Sequence, residues 1–285
     1  MGPVDRDLQE AVQAINRGRP LEAERLFQRV LKNQPKNVAA LNLLTVVLMS
    51  VGRYAEAERF ISRAVEINQS SDVSYYNYGL ICKVLNKPDL ALKQFDNALR
   101  LNAKAPETWN NRGTVFNDLR LYEKAIADFN EAISLAPNYS EAIFNKGKSL
   151  GSLKRHDEAF EAYEKALAIK PDLAEAWLAR GSLYCDLKRY DEAFADFAKA
   201  LAIKPGLAEA WLGRGNVFCQ LERFDEAFAA YDKALAIKPG WLRLRLGAAM
   251  YSPKPNVMTK RLRNTPRRWR SRPIWPRPGS AVATY

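Results

Sequence analysis

Apolar residues recur at helical spacing in pairs of short segments along most of the chain. In residues 174–207 the first apolar stripe contains Trp177, Gly181 and Tyr184. The second stripe contains Phe194, Phe197, Ala200 and Leu201. A spacing of three and four residues places such side chains on one face of a helix. The pattern therefore predicts two short amphipathic helices in this stretch.

The same pattern returns every 34 residues. The run at 174–178 reads AEAWL and returns at 208–212. Counted in seven periods from residue 4, position 8 is always small: Ala11, Thr45, Gly79, Gly113, Gly147, Gly181 and Gly215. Position 20 is always alanine: Ala23, Ala57, Ala91, Ala125, Ala159, Ala193 and Ala227. A fixed period of this length indicates stacked supersecondary units. The predicted repeats are 4–37, 38–71, 72–105, 106–139, 140–173, 174–207 and 208–241.

Helix boundaries agree with this period. Asp191 and Glu192 stand where the second helix of one repeat should begin, and carboxylates stabilise the positive end of a helix dipole. Prolines follow the expected end of the second helix at Pro137, Pro171, Pro205 and Pro239. Because neither helix buries its apolar face alone, neighbouring repeats are expected to supply the core.

The residues at these repeat positions resemble those of the tetratricopeptide repeat family. That family has an aromatic residue at position 4, small residues at positions 8, 20 and 27, and proline at position 32. The resemblance implies an all-α fold, a right-handed α-solenoid of tandem helix-turn-helix repeats. The early repeats depart from the pattern, with Asp7 and Leu41 at the aromatic position and Gln69 and Ala103 at the proline position. Terminal repeats are expected to vary because one of their faces meets water.

The resemblance also implies a binding groove. In the family the first helices line a concave surface, where asparagine at position 6 holds the backbone of an extended peptide through its donor and acceptor. The matching residues here are Asn77, Asn111 and Asn145, and the column ends at Ala179 and Gly213. Neighbouring groove positions hold Asn110, Thr114, Asn117, Lys148, Asp186, Asn216 and Gln220. The alternative for any one of them is a solvated helix surface.

Two further columns are interpreted as structural. Arg112, Arg180 and Arg214 are expected to cover the helix pair and to pair with nearby carboxylates, with a role in the groove as the alternative. The tryptophans are expected to pack between helices, as the family implies, and not to serve as ligand platforms. They are Trp109, Trp177 and Trp211.

Charge is distributed unevenly along the chain. The formal net charge is +12, but residues 242–285 contain 11 Lys or Arg and no Asp or Glu. That leaves 33 basic and 32 acidic residues in 1–241, so the repeat region is balanced. The basic Arg/Pro-rich segment has three interpretations, namely a disordered arm, a nucleic-acid patch, or sequence read out of frame.

We favour the out-of-frame hypothesis for residues 242–285. Codons for Met258, Thr259 and Lys260, read one base earlier, permit Tyr-Asp-Glu 34 residues after the Phe-Asp-Glu of 224–226. A lost nucleotide near codon 241 would make this tail accidental and disordered, and the parent protein longer. The last true repeat would then expose an apolar face, and self-association through it is expected.

Catalytic and metal chemistry are not expected. His156 is the only histidine, in a predicted inter-helix turn, and no glycine-rich phosphate loop or HExxH motif is present. The three cysteines, Cys82, Cys185 and Cys219, form no CxxC pair and fit a reducing compartment. No apolar run is long enough to cross a membrane. We therefore predict a cytoplasmic, non-enzymatic protein without cofactor, metal or membrane partner.

The leading hypothesis is a scaffold that binds a protein or an extended peptide. The second is that the array is similar to the acceptor-recognition repeats of bacterial O-linked N-acetylglucosamine transferase-like proteins, whose catalytic domain would be missing here. Nucleic-acid binding would depend on the basic tail, and we do not expect it.

Overall fold

The computed structural model describes residues 3–239, and this part of the chain consists of fourteen α-helices with no strand. The helices are α1 (Pro3–Asn16), α2 (Pro20–Asn33), α3 (Val38–Ser50), α4 (Tyr54–Ile67), α5 (Asp72–Val84), α6 (Pro88–Leu101), α7 (Pro106–Asp118), α8 (Tyr122–Leu135), α9 (Ser140–Ser152), α10 (His156–Ile169), α11 (Ala174–Asp186), α12 (Tyr190–Ile203), α13 (Ala208–Gln220) and α14 (Phe224–Ile237). The predicted all-α repeat fold is confirmed.

The chain divides into two compact units. Unit 1 is Met1–Arg155 and contains α1 to α9, and unit 2 begins at His156 and contains α10 to α14. Within each unit every helix packs on the next one along the chain. His156, predicted in a turn, is instead the first residue of α10.

Local sequence explains where the helices begin and end. The Asn37 side chain accepts a hydrogen bond from the Ala40 amide at 3.0 Å and caps α3. Asp191 and Glu192 lie in the first turn of α12, as expected. Each first helix is followed by a residue in the left-handed region, and the residues are Gly18, Gly52, Asn86, Arg120, Lys154, Lys188 and Glu222. This conformation ends the helix and turns the chain into the second helix.

Close helix contacts explain the invariant small residues. A Cβ atom on Gly113 would lie 2.8 Å from Cε1 of Phe129, a side chain with no exposed surface. A Cβ atom on Gly215 would overlap the ring of Tyr231 in the same way. The position 20 alanines are all buried as well. Small residues therefore occur where one helix presses on an aromatic ring of its partner.

The tryptophans pack at the edge of the core. Trp177 and Trp211 are half-buried against the apolar clusters of unit 2. Their indole N–H groups donate to the carbonyls of Pro171 at 2.8 Å and Pro205 at 3.1 Å. Trp109 donates to the Ala103 carbonyl at 2.8 Å in the same way. Because the polar atom of each ring is occupied within its own unit, a structural role fits these residues.

No helix within residues 3–239 combines the length and apolarity needed to cross a membrane. In the same range no group of three His, Cys, Asp or Glu side chains is placed to hold a metal ion. The predicted basic tail, 242–285, lies outside the described residues, so the frameshift and self-association hypotheses stay predictions.

Candidate functional site

Most of the predicted groove residues lie on α5, α7 and α9 of unit 1. We call the side chains at positions 2, 5, 6, 9, 12 and 13 of these three helices the first-helix face. Seven of the eight predicted residues belong to it: Asn77, Asn110, Asn111, Thr114, Asn117, Asn145 and Lys148. The eighth, Asn216, lies on α13 in unit 2.

Side-chain hydrogen bonds join α5 to α7 across this face. Lys83 Nζ donates to Thr114 Oγ1 at 2.6 Å and to Asn111 Oδ1 at 3.4 Å. Asn111 Nδ2 donates to Tyr76 Oη at 3.2 Å and to the Glu107 carbonyl at 2.9 Å. Lys83 and Tyr76 thus hold residues that the sequence pattern assigned to ligand binding, and neither was predicted to do so. The sequence feature that could have identified them is their position on the first helix of the repeat before that of their partners.

A second set of hydrogen bonds joins α7 to α9. Asn145 Nδ2 donates to Asn110 Oδ1 at 3.0 Å, and Ser149 Oγ donates to Asn117 Oδ1 at 2.7 Å. Asn110 is buried, and its amide donates to Tyr139 Oη at 3.3 Å. Buried polar groups satisfied in this way fix the relative placement of the helices that carry them.

The three asparagines at position 6 therefore differ. Both amide hydrogens of Asn111 are occupied, and Asn145 donates one of its two to a neighbouring helix. Asn77 is half-buried and makes no side-chain hydrogen bond within the described residues. The expected ladder of equivalent asparagines is thus a set of unequal sites, and Asn77 keeps its whole hydrogen-bonding capacity.

Two lysines give the middle of the face a positive charge. Burial lowers the pKa of Lys83, the charge of Lys148 lowers it further, and the charge of Asp118 opposes both effects. Lys148 is exposed, with its ammonium nitrogen 5.8 Å from the centre of the Phe144 ring. Asp118 is also exposed. The face therefore carries charges of both signs close to its hydrogen-bonding groups.

Exposed apolar side chains border the polar groups on α5. Val73 is 58% exposed and Val84 is 55% exposed, the largest values for valine in the described residues. They occupy positions 2 and 13 of the repeat, one at each end of the helix. The combination of exposed apolar contacts with oriented polar groups is typical of surfaces that bind peptides.

Asn216 has a different environment. It is exposed on α13, and its side-chain oxygen, Oδ1, accepts a hydrogen bond from Tyr231 Oη at 2.9 Å. Cys219 Sγ lies 3.3 Å from the same hydroxyl. Asn216 therefore helps to hold a core ring of unit 2, a contact that its position in the repeat did not predict.

The cysteine thiols are protected by burial. Burial raises the pKa of Cys82 to about 12 and that of Cys185 to about 11. Burial also raises the pKa of Cys219. Because the thiolate is the reactive form, thiols with these pKa values are poor nucleophiles. Their environment favours a packing role for these residues.

Models of known protein families match parts of the sequence that form the helix pairs. Models described as tetratricopeptide repeat match residues 106–139 and 172–239, and one described as TPR repeat matches 147–187. Residues 106–139 and 147–239 thus match tetratricopeptide repeats. A model described as the TT21 fifth ARM repeats domain matches residues 14–111, which include the repeats that depart most from the tetratricopeptide pattern. No match was found among the curated proteins.

Several solved structures share the tetratricopeptide fold. A tetratricopeptide repeat protein from Parabacteroides merdae is 18% identical, with a TM-score of 0.70 over 82% of this chain and 93% of its own. Pseudomonas aeruginosa pilF is 21% identical, with a TM-score of 0.64 over 74% of this chain and 96% of its own. YrrB, described as a TPR protein with an unusual peptide-binding site, is 24% identical, with a TM-score of 0.50 over 65% and 96%. These likenesses establish the fold. The resemblance to glycosyltransferase repeats stays a prediction.

Proposed function

We propose that this protein is a non-catalytic scaffold that binds an extended segment of a partner protein on the first-helix face of unit 1. One observation carries the proposal. Most polar side chains of that face are hydrogen-bonded to neighbouring helices, whereas the side-chain amide of Asn77 makes no hydrogen bond within the described residues. Fixed helices keep the binding groups in place before the ligand arrives, which lowers the entropy lost on binding.

The uncommitted groups match the chemistry of an extended backbone. A peptide in this conformation presents N–H and C=O groups that need partners, and one amide side chain can serve both. Asn77 offers a donor and an acceptor, and the side-chain oxygen of Asn145, Oδ1, accepts no hydrogen bond within the described residues. Lys148 supplies an exposed cation one turn further along α9. Val73 and Val84 add apolar contact at the ends of α5.

The comparison with YrrB supports this direction, since that tetratricopeptide protein is described as having a peptide-binding site. The two cavities described lie at loops, one lined by residues 34–37 and one by Pro106, Glu107 and residues 136–139. Neither is lined by Asn77 or Lys148, while the second borders the first-helix face at Glu107, position 2 of α7.

A peptide library selected on the intact protein tests the proposal. Selected peptides are then measured by fluorescence anisotropy against Asn77→Ala, Lys148→Ala and the control Asn130→Ala. Asn130 is an exposed asparagine on α8 whose side chain makes no hydrogen bond within the described residues, so the control removes the same amide from a helix outside the first-helix face. We expect at least fivefold weaker binding for the first two variants and unchanged binding for the control. Selected peptides that bind all four proteins equally, or a library that yields none, would refute the proposal.

A further inference from the structure

The arginine at position 7 is held by two carboxylates in repeat 4. Arg112 Nε and Nη2 donate to the two carboxylate oxygens of Asp128 at 2.8 and 2.7 Å, and Nη1 donates to Asp96 at 2.6 Å. The guanidinium carbon lies 4.8 Å from the centre of the Trp109 ring. Asp128 belongs to position 23 of the same repeat and Asp96 to position 25 of the repeat before it. The guanidinium is thus fully paired and stacked.

Repeat 6 reproduces this arrangement. Arg180 Nε and Nη2 donate to Asp196 at 2.7 and 2.9 Å, and Glu164 lies 3.9 Å from Nη1. The guanidinium carbon again lies 4.8 Å from the centre of the position 4 tryptophan, Trp177. Planar carboxylates fit the two parallel N–H groups of arginine, which makes such bidentate pairs strong and specific.

Repeat 7 keeps the arginine and loses both carboxylates. The residues that correspond to Asp196 and Glu164 are Ala230 and Ala198. The Arg214 side chain makes no hydrogen bond or ion pair with any residue in 3–239, and its Nε is buried without a partner. The prediction that this arginine pairs with nearby carboxylates is wrong, although it is confirmed for Arg112 and Arg180.

Aromatic rings take the place of the lost acids around Arg214. Its guanidinium carbon lies 4.4 Å from the centre of the Phe194 ring and 5.2 Å from that of Trp211. Lys233 Nζ lies 4.2 Å from the centre of the same Trp211 ring. Stacking on rings favours the cation, but it leaves the in-plane N–H groups without acceptors.

The electrostatic surroundings also differ among the three arginines. Hydrogen bonds to Asp196 raise the pKa of Arg180 against the opposing effect of burial. At Arg214 burial alone acts, and it lowers the pKa because no carboxylate lies close enough to oppose it. Unit 2 therefore contains two cations against one ring, Trp211, and neither is paired with a carboxylate within the described residues.

We propose that Arg214 and Lys233 form a binding site for a carboxylate, supplied by an acidic side chain of a partner protein. The ligand class follows from the chain itself, since the same guanidinium position takes a bidentate carboxylate in repeats 4 and 6. Residues 240–285 contain no Asp or Glu and so offer no acidic side chain for the site. The site lies in unit 2 and is independent of the first-helix face of unit 1.

Acetate is the first probe. Melting temperatures of the intact protein are compared in sodium acetate and sodium chloride of equal ionic strength, for the wild type, Ala230→Asp and Arg214→Gln. We expect an acetate-specific rise in the wild type and none in the two variants, because Ala230→Asp fills the site from within and Arg214→Gln removes the cation. Asp196→Ala is the positive control, since it removes the bidentate carboxylate from Arg180 and leaves only Glu164 at 3.9 Å, and it should enlarge the acetate effect. Equal melting temperatures in both salts for the wild type, or a full acetate effect in Ala230→Asp, would overturn the site.

A peptide identifies the source of the carboxylate. A labelled peptide of alternating Glu and Gly is compared with its Gln-Gly counterpart by fluorescence anisotropy on the wild type, Ala230→Asp, Lys233→Gln and Lys199→Gln. Lys199 occupies position 26 of repeat 6, as Lys233 does in repeat 7. Lys199→Gln therefore removes the same charge from a repeat whose arginine, Arg180, is already paired with Asp196. We expect at least threefold weaker binding of the Glu-Gly peptide to Ala230→Asp and Lys233→Gln, and unchanged binding to Lys199→Gln. An acetate effect without this peptide difference would overturn the protein partner and leave a small free carboxylate as the ligand.

Discussion

Two repeats have the same internal packing but different surface side chains. They are repeat 4, built from α7 and α8, and repeat 7, built from α13 and α14. Both place a tryptophan at position 4, with its indole N–H bonded to a carbonyl of the preceding loop. Both press a glycine at position 8 against an aromatic ring at position 24. Yet α7 carries asparagines tied to its neighbours, whereas α13 has Leu212 and Gly213 at the same two positions.

The difference separates the residues that build the repeat from those that give it a binding surface. Position 8 and position 24 contact each other within the repeat, so they change little. In repeat 4 positions 5 and 6 bond to neighbouring repeats, and position 23 pairs with the arginine at position 7. At positions 5, 6 and 23 the two repeats diverge in polarity or charge, although both keep the arginine. Four comparisons of variants test this separation.

The largest effect is expected where the two repeats agree. Phe129 is fully buried beside Gly113, and Phe129→Ala should lower the free energy of unfolding by about 3–5 kcal/mol through lost burial and the cavity left behind. Urea unfolding followed by circular dichroism measures the loss. Phe116→Ala, which truncates a half-buried ring of α7, is the control and should cost clearly less. Equal losses of stability in the two variants would show that the position 24 ring contributes no more to the core than a half-buried ring does.

A second substitution tests the arginine pairing. Asp128→Ala gives repeat 4 the alanine of repeat 7 and leaves half-buried Arg112 with Asp96 alone. Losing two charged hydrogen bonds should cost about 2–3 kcal/mol in urea unfolding. The reverse change, Ala230→Asp, should raise the stability of repeat 7. If Asp128→Ala proves neutral, stacking on Trp109 is sufficient and the contrast between the repeats has little energetic weight.

A third comparison uses the position 8 glycines. Adding a methyl group to either should cost about 1–3 kcal/mol, since the new Cβ overlaps the facing ring. Gly215→Ala should cost more than Gly113→Ala, because hydrogen bonds to Asn216 and Cys219 restrain the Tyr231 ring. Thermal or urea unfolding of the two variants checks the order. The opposite order would mean that the hydroxyl contacts of Tyr231 do not restrain it.

The smallest effect concerns a backbone feature common to both repeats. Arg120 follows α7 with φ of 60°, in the left-handed region that glycine adopts without strain. Arg120→Gly should stabilise the protein by roughly 0.5 kcal/mol, the relief of strain being partly offset by the greater freedom of glycine in the unfolded chain. Gly52→Ala, at the same position in repeat 2, should destabilise it. Differential scanning calorimetry resolves both, and a stabilising Gly52→Ala would contradict the account.

Much of the fold was predictable because its causes lie within one period of sequence. The spacing of Trp177, Gly181 and Tyr184 predicted a helix, and the invariant alanine column marked its close contact with the partner helix. The candidate face was predictable only as a set of positions. Seven predicted residues do lie on α5, α7 and α9, but the partners that occupy Asn111 and Asn145 come from neighbouring repeats.

The sequence alone thus determined the helix pair, its period and the small residues at its contacts, because the local spacing and the need for close helix contact recur in every repeat. The tertiary structure alone decided which polar groups are already satisfied. Hydrogen bonds such as Lys83 to Thr114 join side chains 31 residues apart, and whether they form depends on distances between helices of different repeats. Arg112, Arg180 and Arg214 look alike in the sequence, and only their packed surroundings distinguish two paired arginines from one without a carboxylate.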